Sequence, residues 1–236
     1  MQLICFPYAG GSSRAYSDLF SRLNRDIHVQ CMEYPGHGIK SHEPLMYELE
    51  AIAELLFHEL RQANLFNSEY VFYGHSMGAL VSYLVARIAA AHGYRPPSHM
   101  IVSGRSSPTV QLTGRKHLMN SDDFWQALSA MGGIPDELMH DLKLRNYFEQ
   151  ILRADFTAAE TWQWQPCRPL NCPVTVWYGD QENVSFETAS AWQQVTTEPV
   201  HLQSFPGKHF FIFDHCQLLC TVTNQLLAPA IIQHAS

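Results

Sequence analysis

Short apolar runs and stretches of helical period alternate along most of this chain. Leu3-Ile4-Cys5-Phe6 is an apolar run closed by Pro7 and the pair Gly10-Gly11, the pattern of a buried strand entering a loop. Ser12 or Ser13 is placed to cap a helix whose apolar face is Tyr16, Leu19, Phe20 and Leu23. A second strand is predicted over residues 27–34, stopped by Pro35-Gly36-His37-Gly38. Leu49, Ile52, Ala53, Leu56 and Leu60 recur with the spacing of one helix face. A third strand over 70–73 leads into a strongly helical segment over 79–91, and a fourth over 100–102 follows Pro96-Pro97. The alternation resumes with a strand over 173–178, a helix over 186–195, a strand over 200–205 and a last helix over 216–227.

Strands separated by helices predict a mostly parallel sheet with helices packed on both faces. Residues 107–169 interrupt that pattern, with helical segments near 122–131, 137–151 and 154–164 and no strand. They carry Phe124, Trp125, Tyr147, Phe148, Phe156, Trp162 and Trp164. A helical insertion at this point reads as a lid over the C-terminal edge of the sheet, where such folds bind ligands. The aromatics are expected to supply the lid's own small core and its packing on the body. No repeat, linker or low-complexity stretch divides the chain, so residues 1–236 are expected to form one domain with the lid at approximately 107–169.

Composition narrows the class. With 46% hydrophobic and 16% charged residues the chain reads as a folded globular protein. A formal net charge of −7 argues against nucleic acid as a partner and against adsorption to an anionic membrane. No apolar run is long enough to span a bilayer, and the start Met1-Gln2-Leu3-Ile4-Cys5-Phe6-Pro7 lacks the marks of a signal peptide. The six cysteines show no paired C-x-x-C spacing, so a zinc site is not expected. A cytoplasmic monomer with reduced thiols is the expectation.

The candidate chemistry starts at Gly74-His75-Ser76-Met77-Gly78, which fits G-x-S-x-G between a strand and a helix. In that context the sharp turn lifts the serine hydroxyl above the sheet, beside the partly positive N-terminus of the helix. Ser76 is therefore the expected nucleophile, and the arrangement is that of the α/β-hydrolase fold. A serine needs a base, which the order serine, acid, histidine places near the C-terminus. Of His209 and His215, His209 leaves the last strand on a glycine-containing loop, while His215 falls where the final helix begins and is expected to cap or solvate it. The acid belongs on the loop after strand 173–178, where Asp180 and Glu182 are both available and the other would be a solvated carboxylate. The remaining histidines are expected mostly to face solvent. The loop Pro7-Tyr8-Ala9-Gly10-Gly11 follows the first strand, which assigns the oxyanion-hole donors to the backbone amides of Ala9 and Met77.

Several segments together make the chain resemble the type II thioesterases that accompany polyketide and nonribosomal peptide synthetases. They are Leu3 to Gly11, Glu33-Tyr34-Pro35-Gly36-His37-Gly38, Tyr73 to Gly78, Val102-Ser103-Gly104-Arg105, Met131-Gly132-Gly133-Ile134-Pro135, Arg153-Ala154-Asp155-Phe156 and Phe205 to Phe211. The resemblance implies an enzyme that hydrolyses aberrant or stalled acyl groups from the phosphopantetheine arm of acyl or peptidyl carrier proteins. It needs no metal or organic cofactor of its own, and it maps nucleophile and base onto Ser76 and His209. The family's acid usually ends a G-D-x-D-like loop, a position held here by Glu182, one methylene longer than the usual aspartate. Carrier proteins are acidic, so docking against a net charge of −7 calls for a local basic patch, for which Arg105, Arg115 and Lys116 are candidates. A small-ester esterase with the same triad and a non-catalytic binding protein of the same fold are the competing readings.

Overall fold

The computed structural model describes residues 1–111, 113–134, 138 and 140–234. Pro135 of the 131–135 segment and Glu137, the expected start of the second insertion helix, lie outside the described residues. The strands are β1 (Gln2–Phe6), β2 (His28–Cys31), β3 (Tyr70–His75), β4 (His99–Ser103), β5 (Val174–Gly179) and β6 (Val200–Phe205). They form one six-stranded sheet in the order β2-β1-β3-β4-β5-β6, with every pairing parallel. The helices are α1 (Leu49–Gln62), α2 (Met77–Ala91), α3 (Ser121–Met131), α4 (Leu142–Thr161), α5 (Phe186–Ser190), α6 (Phe211–Asp214) and α7 (Cys216–His234). None among the described residues is long and apolar enough to cross a membrane.

Side chains alternate across a strand, so each central strand feeds two cores. Ile4, Phe6, Phe72, Met100, Val102, Val174 and Val176 point to one face, covered by α1 and α2. Leu3, Cys5, Val71, Tyr73, Ile101 and Trp177 point to the other, covered by the 16–27 segment and α7. Burial on both faces explains why these strands read as continuous apolar runs. All six cysteines are free, with Cys5, Cys172 and Cys220 buried.

Several predicted elements change shape. Residues 12–24 form successive turns rather than a helix, although Tyr16, Leu19 and Phe20 are buried as the apolar face predicted. Ser13 does not cap: its amide and hydroxyl both donate to the Glu33 carboxylate, at 2.8 and 2.7 Å. Ser17 and Ser21 donate to the carbonyls of Arg14 and Asp18, each at 2.9 Å, offering the backbone local alternatives to helical bonds. The second strand stops at Cys31, because Glu33 turns away to hold Ser13 and the Ile39 amide. The two helices expected over 137–151 and 154–164 are one continuous helix, α4. Asp141 caps it by accepting from Lys143 and Leu144, and Arg153 ties back to Glu149 across the expected break. The helix expected over 186–195 tightens after Ser190 into a 3-10 segment, Ala191–Val195, and the last helix runs on to His234.

The insertion builds a core of its own. Phe124, Trp125 and Leu128 of α3 pack on Leu152 of α4, with Phe148 and Phe156 alongside. Arg153 stacks over the Phe124 ring at 4.5 Å and donates to the His117 carbonyl at 3.0 Å. Trp162 and Trp164 pack instead on the main core, and Tyr147 is exposed, so the aromatics divide between both roles.

Candidate active site

β3 ends at His75 and α2 begins at Met77, leaving Ser76 alone to make the turn. Its backbone sits at φ 55°, ψ −116°, a conformation side-chain-bearing residues rarely adopt. The Ser76 amide is held by the Ser103 carbonyl at 2.8 Å. The flanking glycines let backbone pack on backbone: a Cβ on Gly74 would meet the Gly78 carbonyl, and one on Gly78 would meet the Phe6 carbonyl.

Two loops meet at the far side. The Glu182 carboxylate accepts from the Gly179 amide at 2.7 Å through one oxygen and from His209 Nδ1 at 2.8 Å through the other. Both side chains are largely buried, 4% exposed for Glu182 and 12% for His209. A carboxylate only accepts, so Nδ1 carries the proton and Nε2 is left with its lone pair free. Asp180 does not touch the imidazole. It accepts from the Gly207 amide at 2.9 Å, while Gln181 donates to the Gly207 carbonyl at 3.0 Å, so it is a clasp between the two loops rather than a merely solvated carboxylate. His215 binds the Pro206 carbonyl at 2.8 Å and ends α6. Ser76 and His209 face one cavity, and no hydrogen bond joins them.

Most of the remaining described histidines are exposed, as expected, but two are buried. His75 is fully enclosed, 4.8 Å from the His209 ring between centroids, with Nδ1 2.9 Å from the Ser103 hydroxyl. Burial first, and the neighbouring His209 second, hold its pKa well below the ordinary histidine value, so it stays neutral beside His209. His37 pairs with Asp155 of α4 at 2.9 Å through Nε2 and contacts the Pro35 carbonyl at 3.0 Å through Nδ1. Burial alone would lower its pKa, but the hydrogen bond and charge of Asp155 outweigh that and raise it.

Asp155 is the residue that pattern reading missed. Its Oδ2 also accepts from the Gly10 amide at 2.7 Å, 145 residues away, and its side chain is 2% exposed. The loop before Gly10 is fixed at two more points: the Tyr16 and Tyr34 hydroxyls donate to the carbonyls of Phe6 and Pro7, at 2.9 and 2.7 Å. The Ala9 amide has no acceptor among the described residues, nor has the Met77 amide at the start of α2, and both residues line one cavity with Ser76. An aspartate on the buried face of an otherwise apolar helical turn was the available signal, since a buried carboxylate needs partners.

Residues 1–226 match a known family, the thioesterase domain. The chain belongs to the thioesterase family. It is 30% identical over 237 residues to the gramicidin S biosynthesis protein GrsT of Aneurinibacillus migulanus, covering 98% of this chain and 92% of that protein. Among solved structures it is similar to RedJ, a thioesterase from the prodiginine pathway of Streptomyces coelicolor, with 30% identity and a TM-score of 0.88 over 94% of this chain and 84% of that one. ClbQ, from the colibactin NRPS/PKS pathway, superposes with a TM-score of 0.91 at 26% identity over 98% of both chains. These neighbours share the α/β-hydrolase fold, with its parallel sheet and flanking helices.

In this thioesterase, two cavities open on Ser76. One, of about 400 Å³, is apolar, bounded by Leu128, Met131, Leu152, Phe148 and Phe156 of the insertion and by Phe210. The other, of about 470 Å³, is lined by Ala9, Met77, Glu182 and His209, and by Arg105 and Lys116. The three basic residues proposed as a surface patch differ in exposure, although Arg105 shares one cavity with Lys116 and another with Arg115. Arg105 lies in the cavity wall, Lys116 sits 3.8 Å from the buried Glu160 and over the Phe156 ring, and Arg115 alone is exposed.

Proposed function

We propose that this thioesterase is an editing enzyme of the type II kind, removing aberrant or stalled acyl groups from phosphopantetheine arms of acyl or peptidyl carrier proteins. The observation that carries the reading is the convergence on Ser76 of an imidazole held by a carboxylate, two free amides and an apolar chamber. The relatives' association with gramicidin S and prodiginine biosynthesis supports the choice of substrate. His209 Nε2 takes the Ser76 proton as Oγ attacks the thioester carbonyl, while the Ala9 and Met77 amides receive the oxyanion. The thiol leaves, taking the proton from His209, and water activated by His209 then hydrolyses the acyl-Ser76 ester. Glu182 keeps the imidazole in the required tautomer and stabilises its cation.

Residues 107–169 act in this reading as the lid of a single domain, and the enzyme works as a cytoplasmic monomer. Comparison of an acyl-carrier protein with the matching acyl-pantetheine and an oxygen ester tests the assignment. The carrier-bound thioester is expected to turn over fastest, and a preference for the oxygen ester would overturn the reading in favour of an esterase.

Asp155 acts here as a positioning residue for the oxyanion loop. Asp155→Ala is expected to lower kcat by roughly a hundredfold, the order of losing one oxyanion donor, with little change in KM. Asp155→Asn keeps an oxygen acceptor for the Gly10 amide and should recover most of that loss. A parallel rise in KM, or no rescue by asparagine, would assign Asp155 to packing alone.

A further inference from the structure

A third cavity, of about 470 Å³, adjoins the second Ser76 cavity, sharing Arg105, Ala159 and Glu160 with it. Its other walls include Thr109, Gln111, Arg115 and His117, so it is polar where the chamber beside Ser76 is apolar. Arg105 stands at the junction. It follows Gly104, whose φ of +60° turns the chain after β4, and its carbonyl is pinned by the Trp192 indole at 3.0 Å.

The Arg105 guanidinium donates no hydrogen bond and makes no ion pair among the described residues. The residue is half-buried, and an arginine in a cavity wall ordinarily finds a partner. Glu160 acts on it only through space, because its carboxylate is committed elsewhere. One oxygen accepts from the His117 amide and ring at 3.1 and 2.7 Å, and Lys116 lies 3.8 Å from the other. Burial draws the guanidinium pKa down to about 10, which leaves it cationic at neutral pH. With Arg115 on the same wall, the cleft is a cationic pocket in a chain of net charge −7.

We infer that this cleft seats the phosphopantetheine arm of the substrate, with Arg105, supported by Arg115, holding its phosphate while the acyl group occupies the apolar chamber. The inference rests on the carrier-bound thioester reading and adds the anchor that reading lacks. A thioester has two unlike limbs, an acyl chain and an amide-rich, phosphorylated arm; the apolar chamber opens on Ser76 directly, and the polar cleft adjoins the second Ser76 cavity at Arg105, so the two can take one limb each. A guanidinium suits a phosphate because its planar donors can engage two oxygens at once.

The test compares an acyl-phosphopantetheine with the same acyl-pantetheine lacking the phosphate, and includes p-nitrophenyl acetate as a measure of the intact triad. Wild type is expected to favour the phosphorylated thioester by about 10- to 100-fold in kcat/KM, mainly through KM, as for a charge-assisted hydrogen bond. Arg105→Gln should erase that preference, Arg105→Lys should retain part of it, and Arg115→Gln should weaken it less. Equal losses on both thioesters, or no phosphate preference in wild type, would overturn the arm assignment. Cleavage of p-nitrophenyl acetate by wild type with neither thioester turned over would instead overturn the thioester reading, and the arm assignment with it.

Discussion

Ser76→Ala is expected to lower the rate of acyl release by about a million-fold, the order seen when a serine nucleophile is removed from a triad that acts as a unit. The fold should be unaffected. Ser76 Oγ makes no hydrogen bond among the described residues, and the strained turn is held by the Ser76 amide and the flanking glycines, which alanine leaves in place. Turnover of an acyl-carrier protein and a thermal melt, measured on one preparation, separate the two effects. Turnover near wild type in a variant with an unchanged melt would remove Ser76 from the mechanism.

Glu182→Gln is expected to cost about ten-thousand-fold in kcat, by analogy with triads in which the carboxylate is replaced by its amide and the imidazole tautomer is lost. Asp180→Asn is the informative partner. Its oxygen can still accept from Gly207, so the loop clasp survives and the loss should stay below about tenfold. The two substitutions remove the same charge two positions apart on one loop, so a general electrostatic effect would make them similar. If Asp180→Asn proved the more damaging, the roles given to the two carboxylates would have to be exchanged.

The pattern of the chain was most legible where one local signal decides the outcome. Buried parallel strands announce themselves as apolar runs, and G-x-S-x-G between strand and helix locates the turn at Ser76. It was least legible where distant residues decide. Residues 12–24 carry the periodicity of a helix, yet Glu33 captures Ser13, one of the two candidate caps. Asp180 and Glu182 are equivalent by spacing, and only the way Gly179 and Gly207 meet directs one to the imidazole and the other to a backbone amide. Arg105 reads as a surface charge until the turn at Gly104 is seen to carry it into the cavity wall. Asp155 lies in a segment that carries the resemblance, but its role is not legible there, since its partners Gly10 and His37 lie more than a hundred residues away.

The position of Asp155 restricts how the chamber can breathe. Swinging the whole of α4 away from the sheet would strip a buried carboxylate of both the Gly10 amide and His37, a cost of roughly 3–5 kcal/mol for breaking such a pair. The C-terminal half of α4 is therefore a fixed post, and widening falls to α3 and the first turns of α4, where Leu142 and Leu144 are already exposed. Bulkier acyl chains would then be accommodated at the far end of the chamber, while the oxyanion amides keep their places.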